Sequence, residues 1–431
     1  MSKTIVVGSG INALLLGGLL SYDGEQIILF EKNSYIGGRA FLYEKDGFVL
    51  DNGLHVTRFG PENPVAKIMH HIGRHVEYSR LGNSYLVDYD GQQVLFPTSP
   101  AGVFKTRLFT MTEKLKVLGL LIKIKSGKFN ELMDISLKDW MAQHNITGGI
   151  RRYFELISAS LMVCPFIEKT SAGETFRNLQ KILKSGHSAE YPAKGWRPIQ
   201  KALVNEIEKN GEIKLRSKAE RVSIKDGKAV SVLVDGKEYY ADRIVINIPV
   251  QQLFSILPEE LFDSGYVSLC KDLLPTSGVF VDVLLKERIS DIDGMLYTYS
   301  PKAYGMITSN VAEGIAPHGS QLLTMFYPTS FEDVTETVKR KQKKEEIWKA
   351  VKSFFPDIER HIYWKRETSL RMIDGAQVNI DQTEDKRPKS RVPGIENLYL
   401  VGDSISAPGA GGDVGNESVL ITYREMTGRV L

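Results

Sequence analysis

Cysteine is nearly absent from this sequence: Cys164 and Cys270 are the only two in 431 residues. They lie far apart, in apolar or loop settings, which excludes a disulfide framework and a cysteine-rich metal site and fits buried, reduced thiols. Charge of one sign is also scarce. Fifty-five Lys and Arg against 52 Asp and Glu leave a formal net charge of +3. That is too little for a nucleic-acid footprint, and no RNA-binding or helix-turn-helix signature appears. No apolar run approaches the roughly 20 residues that span a bilayer; the longest surrounds Ala13–Leu20. The first residues enter a strand-like run directly, without the basic, apolar and cleavage regions of a secretory signal. A cytoplasmic protein is therefore expected. His70, His71 and His75 contain an i,i+4 pair, but no cysteine or carboxylate at motif spacing accompanies it. A solvated helix face is expected there, and no metal site. Repeats and low-complexity tracts are absent. The apolar and charged fractions, 42% and 25%, are ordinary for a globular protein, and the length suits two to three domains' worth of core.

Glycine, by contrast, is placed with purpose. Thr4-Ile5-Val6-Val7 is a short β-branched run, as a buried parallel strand requires, and Gly8-Ser9-Gly10-Ile11-Asn12-Ala13 follows at once. An apolar helix, Ala13–Leu20, and a second strand, Ile27–Phe30, complete the unit, and Glu31 with Lys32 beside it closes the strand. Glu31 falls 23 positions after Gly8, where a dinucleotide-binding unit carries the acid that holds a ribose hydroxyl. Gly8 makes the tight turn, Gly10 lets the backbone approach a pyrophosphate, and the helix N-terminus offers free N–H groups to its charge. Ala13 takes the place of the third glycine. Gly37-Gly38-Arg39 follows.

The other end of the chain adds a strand, Asn397–Val401, that runs into Gly402-Asp403. A glycine-rich loop, Pro408–Gly415, then precedes a last helix. With these residues the chain resembles the flavoproteins that include phytoene desaturases, retinol saturases, amine oxidases and protoporphyrinogen oxidases. Gly47–Gly53, Ser309–Gly319, Arg387-Pro388 and Pro393–Tyr399 extend the resemblance along nearly the whole chain, on the phytoene desaturase side. It implies an α/β fold: a Rossmann-type, glutathione-reductase-like FAD-binding domain with an interleaved α+β substrate domain. It also implies FAD, held non-covalently, since no Cys or His stands at an obvious attachment point. Carried over by position, the cofactor residues are Gly8, Gly10, Ile11, Asn12, Ala13, Glu31, Lys32, Gly38, Arg39, Gly53, Leu54, His55, Gly402, Asp403, Gly412, Asp413 and Val414. The resemblance adds Val222, whose backbone would meet the adenine.

The FAD-binding domain is expected in three pieces, 1–65, 193–250 and 385–431, and the substrate or cap domain in 66–192 and 251–384. In the second piece a helix from Ile199 to Lys209 precedes strands at 213–215 and 220–224. A ribbon across Asp235-Gly236 and a buried strand, Arg243–Asn247, follow. The cap domain reads as helical over about 102–186, with Ser136 as an N-cap, and as an antiparallel sheet over Val279–Leu285, Met295–Ser300, Gly305–Asn310 and Gln321–Tyr327. Thr335–Phe355 reads as a charged amphipathic helix with a solvated lysine face.

A flavin enzyme asks little of side chains, because the ring itself carries the hydride. In the resembled family the segment Asp51–Arg58 passes close to that ring. This makes His55 the first catalytic candidate and Arg58 the second, against a reading in which His55 only caps or packs. Asp413 stands where a small residue is expected, and its carboxylate is read as a cap on the last helix. No second βαβ unit exists for NAD(P)H. Leu115–Ile124, apolar and accompanied by Lys114, Lys116, Lys123, Lys125 and Lys128, either packs in the cap or lies on an anionic membrane surface. A hydrophobic small molecule, isoprenoid in class on the resemblance, is the expected substrate. Three functions stay open: carbon–carbon desaturation, saturation or isomerisation; amine or porphyrinogen oxidation; and non-enzymatic binding of prenyl chains. For an amine, Tyr297, Tyr299, Tyr304 and Tyr327 are too scattered in sequence to define an aromatic cage.

Overall fold

The computed structural model describes residues 2–431. Its organising element is a five-stranded parallel sheet, in the order Leu398–Leu400, Arg243–Ile246, Lys3–Val7, Gln26–Phe30 and Glu212–Lys214. Neighbours in this sheet come from opposite ends of the chain. The four strands other than the edge strand Glu212–Lys214 are mostly apolar and buried, as a parallel sheet covered on both faces demands. Helix Ile11–Tyr22 covers one face, and its residues from Asn12 to Ser21 are all buried. A three-stranded antiparallel meander, Ala219–Lys225, Lys228–Val234 and Lys237–Tyr240, lies beside the sheet, one strand more than the expected ribbon. Its two turns are Asp226-Gly227 and Asp235-Gly236, with φ of +50° and +71°, then +49° and +73°. Positive φ at both central residues is what a tight hairpin needs, and Asp-Gly supplies it.

The second sheet has seven strands, in the order Ile362–Leu370, Ser277–Leu285, Gln321–Thr329, Tyr304–Ile307, Leu296–Thr298, Ser84–Val87 and Gln93–Phe96. Four of these were expected from sequence. Ile362–Leu370 escaped because no position in it is fully buried and its apolar residues alternate poorly. Ser84–Val87 joins in parallel with Leu296–Thr298, across more than 200 residues, so no local signal announces it. Strand Ser277–Leu285 is buried at every position and lies second from one edge, between two long antiparallel partners.

Helices Met111–Ser126, Leu137–Gln143, Gly148–Ser160 and Ala172–Ser185 build the expected helical region. Ser136 caps its helix by accepting the Asp139 N–H at 3.0 Å. The charged helix of residues 335–355 is broken into Phe331–Thr335 and Thr337–Phe354. Lys339 and Lys343 bridge to Glu332, Glu336 and Glu346 on its outer side. One apolar core cluster joins helix Ile11–Tyr22, the helical region and the inner face of the seven-stranded sheet, which seats the cap firmly on the nucleotide sheet.

Candidate active site

The C-terminal ends of the parallel strands open into one continuous cavity of about 910 Å³. Its nucleotide end is built by the first strand and helix. Gly8 has φ +95°, and a side chain there would meet the Asn247 carbonyl oxygen at 2.4 Å; at Gly10 it would meet Asn247 Oδ1 at 2.5 Å. The crowding that requires these glycines thus comes from the end of the neighbouring strand. Asn247 accounts for it: its N–H donates to Val7 O at 2.7 Å and its side-chain amide to Val401 O at 2.7 Å. Helix Ile11–Tyr22 starts at Gly10 with no side-chain cap, so its first N–H groups face the cavity. Gly38 packs its α-carbon region against Gly10, where an added Cβ would sit 3.1 Å from the Gly10 Cα.

Glu31 is buried at the end of the second strand. Its carboxylate accepts from the Ser9 N–H at 3.0 Å and the Asn33 N–H at 2.8 Å, and from the Ser9 hydroxyl and Asn33 amide at 2.7 Å each. The two backbone bonds fix the group. The two side-chain donors can rotate away, leaving acceptor sites for ribose hydroxyls. Arg39 forms a two-pronged pair with Asp403, 2.8 and 2.7 Å, and a further bond to Ile373 O at 2.6 Å. Burial works against the Arg39 charge, and Asp403 and Asp374 more than restore it.

The last helix, Gly412–Thr427, also starts without a side-chain cap and brings its N-terminus to the cavity. It meets the first helix through Asn12, which donates to Asn416 Oδ1 at 3.1 Å. Asp413 does not cap this helix as expected. It is buried and accepts from Arg58 Nη1 at 2.5 Å, because the chain at 58 passes directly over it. The pairing neutralises the carboxylate that looked out of place beside a flavin.

Segment Asn52–Arg58 forms one wall of the cavity. His55 stacks edge-on against Trp196, whose indole N–H donates to the His55 carbonyl at 3.1 Å. His55 Nδ1 is buried without a partner, 3.8 Å from Asp51 Oδ2. Asp51 in turn accepts the Tyr191 hydroxyl. His55 is therefore held in place by packing and its backbone, with its ring turned to the cavity.

Of the expected site residues, Gly8, Gly10, Ile11, Asn12, Glu31, Lys32, Gly38, Arg39, Gly53, Leu54, His55, Arg58, Gly402, Asp403, Gly412 and Asp413 line this cavity. Ala13 and Val414 do not; both are buried behind the first turns of their helices. Val222 is misplaced. It is fully buried in the core, and its N–H donates to Ile256 O at 2.8 Å, so it has nothing to offer an adenine. Ser217, Lys218 and Ala219, at the start of the same strand, line the cavity instead.

Sequence reasoning missed two residues. Asn247 looked like the unremarked end of a strand. Asp374 lies in the cavity wall with no motif around it, bonded through one oxygen to the Thr276 hydroxyl at 3.0 Å. Burial pushes its carboxyl up to about 6; Asp403 adds to the rise and Arg39 opposes it. A carboxyl raised in the folded state stabilises the fold at low pH and loses that contribution as pH rises through about 6. Asp374→Asn should therefore gain stability relative to the parent between pH 4 and 7, by about 1–3 kcal/mol. Denaturant melts at both pH values test this, and a difference independent of pH contradicts it.

Three comparisons bear on this geometry. Residues 18–415 match the family model described as flavin containing amine oxidoreductase. The chain is 25% identical over 475 residues to the chloroplastic prolycopene isomerase of Daucus carota, covering 94% of this chain and 77% of that protein. It is 22% identical to the 4,4'-diapophytoene desaturase of Staphylococcus aureus, covering 98% of each. Among solved structures, an oxidoreductase from Methanosarcina mazei superposes with a TM-score of 0.83 at 20% identity, covering 97% of this chain and 99% of the other. The glycine cradle, the anchored acid and two open helix N-termini fit a dinucleotide that carries a flavin, and the family match agrees. This chain belongs to the flavin containing amine oxidoreductases and is an FAD-dependent oxidoreductase.

Proposed function

We propose that this protein desaturates, saturates or isomerises carbon–carbon bonds of a hydrophobic, isoprenoid-class substrate. The observation that carries this reading is the continuity of the cavity. From the nucleotide cradle it runs past Arg58 into a chamber walled by Phe96, Ile157, Leu161, Phe280, Met295 and Phe326. Such walls bind by excluding water, and they suit an apolar chain better than a small cation. The isomerase and desaturase named among the relatives point the same way.

Bound FAD supplies the hydride acceptor and donor. The chain's own work is to bind, orient and keep the chamber dry. On this reading Gly8, Gly10, Gly38 and the N-terminus of Ile11–Tyr22 receive the pyrophosphate, Glu31 the ribose, and Arg39 with Asp403 the stretch between the pyrophosphate and the ring. Gly53, Leu54 and Gly412 give the ring room. Arg58 and Asp413 cancel each other's charge beside it. His55 holds or moves a proton at the cavity face.

The membrane reading gains a definite surface. Helix Met111–Ser126 turns Val117 and Ile124 inward and leaves Met111, Leu115 and Ile122 65–70% exposed along one stripe. Lys114 and Lys116 are tied to backbone carbonyls, so Lys123 and Lys125 are the cations free to meet an anionic surface. No helix among the described residues is long and apolar enough to cross a membrane, so contact would be peripheral. Both cysteines are free and buried, in keeping with a reducing compartment.

Mass spectrometry of lipophilic molecules that co-purify with the protein identifies the substrate. With it, His55→Gln should keep FAD and thermal stability yet slow flavin reduction in stopped flow by about a hundredfold. Equal rates would leave His55 a packing residue. The paired Leu115→Ser and Ile122→Ser variant should lose sedimentation with phosphatidylserine liposomes while its flavin spectrum is unchanged. Salt should release the wild type; a wild type that ignores these liposomes at low salt removes the membrane contact.

A further inference from the structure

Three tyrosines enter the apolar chamber from three different elements: Tyr153 on helix Gly148–Ser160, Tyr297 on strand Leu296–Thr298 and Tyr304 on strand Tyr304–Ile307. Their rings pack as core residues do. Phe96 lies 4.2 Å from the Tyr297 ring centre and 5.4 Å from that of Tyr153, and Tyr304 meets Phe326 edge-on at 5.3 Å. Tyr297 and Tyr304 are each only 8% exposed. Buried phenols ordinarily find a hydrogen-bond partner. Among the described residues the hydroxyls of Tyr304 and of the half-buried Tyr153 have none, and desolvation raises both. Tyr297 has the Ser160 hydroxyl beside it; that hydroxyl gives its proton to Leu156 O at 2.7 Å and so can only accept from Tyr297.

Arg58 stands at the same place. Only Nη1 of its fork is engaged, by Asp413, and a guanidinium has five donors. Its charge reaches the phenols of Tyr297 and Tyr304, opposing the rise that burial imposes on each and that Asp374 adds to at Tyr304. A plain hydrocarbon would be served as well by phenylalanine at all three positions. On entering, it would strip water from three hydroxyls and a guanidinium and return no hydrogen bond to any of them. An acceptor oxygen would satisfy them, whereas a protonated amine has no lone pair to offer these donors. We propose that the chamber takes an apolar chain bearing a carboxylate or carbonyl, whose oxygen is received by Arg58, Tyr297 and Tyr304. This rests on reading the chamber as the site of a hydrophobic substrate, and narrows that class to its oxygenated members.

Three probes of one carbon skeleton separate the possibilities: farnesoic acid, farnesal and farnesene, titrated into the holoenzyme in the same mixed detergent micelles. Perturbation of the flavin absorbance reports binding. The acid and aldehyde should bind at least about tenfold tighter than the hydrocarbon, as expected of a site whose donors go unpaired without the oxygen. The Tyr297→Phe, Tyr304→Phe double variant should keep its flavin spectrum and melting temperature. It should cut that preference to about threefold or less, by weakening the acid and aldehyde and leaving farnesene unchanged or tighter. Farnesene binding as tightly as the acid in the wild type overturns the proposal and leaves the hydrophobic-substrate reading intact. A preference that survives in the double variant overturns the assignment to these tyrosines. If no probe perturbs the flavin, the hydrophobic-substrate reading falls and the proposal falls with it.

Discussion

Asn247 is the residue on which the rest of the site depends. It ends a central strand of the parallel sheet, and its backbone and side chain together hold the ends of two neighbours, Val7 and Val401. That places it against Gly8, Gly10 and Gly402, each of which would crowd it with a side chain. The glycines are needed because the strand ends are drawn so close. The approach in turn leaves the first helix uncapped and open to a diphosphate. One amide thus sets the spacing of three chain segments that are more than 150 residues apart. Replacing it would loosen the cradle from the side opposite the ligand.

Charge in the cavity is arranged in pairs. Arg39 with Asp403 and Arg58 with Asp413 join the front of the chain to its last 30 residues. Each pair sets a buried carboxylate against a guanidinium, so that neither acid stands as a lone buried charge. Asp374 is the exception, a third carboxylate within reach of one guanidinium, and burial and Asp403 raise it toward neutrality. The protein therefore offers a nucleotide end rich in backbone donors, a short polar waist, and an apolar chamber beyond it. On the proposed reading, that sequence of environments suits a dinucleotide whose ring meets a lipophilic partner.

The nucleotide half was legible because its signals are local. A β-branched run, a glycine turn and an apolar helix each report on a few adjacent residues, and Glu31 follows at a spacing that strand and helix lengths dictate. The Asp-Gly turns were legible for the same reason. What sequence could not reveal was pairing over distance. Asp413 was read as a helix cap because capping is local, whereas its partner Arg58 lies 355 positions away. Asn247 and Asp374 carry no motif and matter only through what the fold brings against them. The error at Val222 was one of register: the strand was found, but its core-facing middle was taken for its cavity-facing start. The phenols show the same limit, since Tyr153, Tyr297 and Tyr304 converge only when a helix and two strands pack, while Tyr299 and Tyr327 turn elsewhere, to Glu155 and Lys343.

The central claim is that one cavity holds the nucleotide at Gly8–Glu31 and presents the flavin to Asn52–Arg58 and the apolar chamber. A crystal structure of the purified holoprotein tests it directly. The account predicts the diphosphate at the N-terminus of helix Ile11–Tyr22, the adenine beside Ser217–Ala219, and the isoalloxazine between His55 and Gly412. Flavin density elsewhere, or an adenine against Val222, would contradict it.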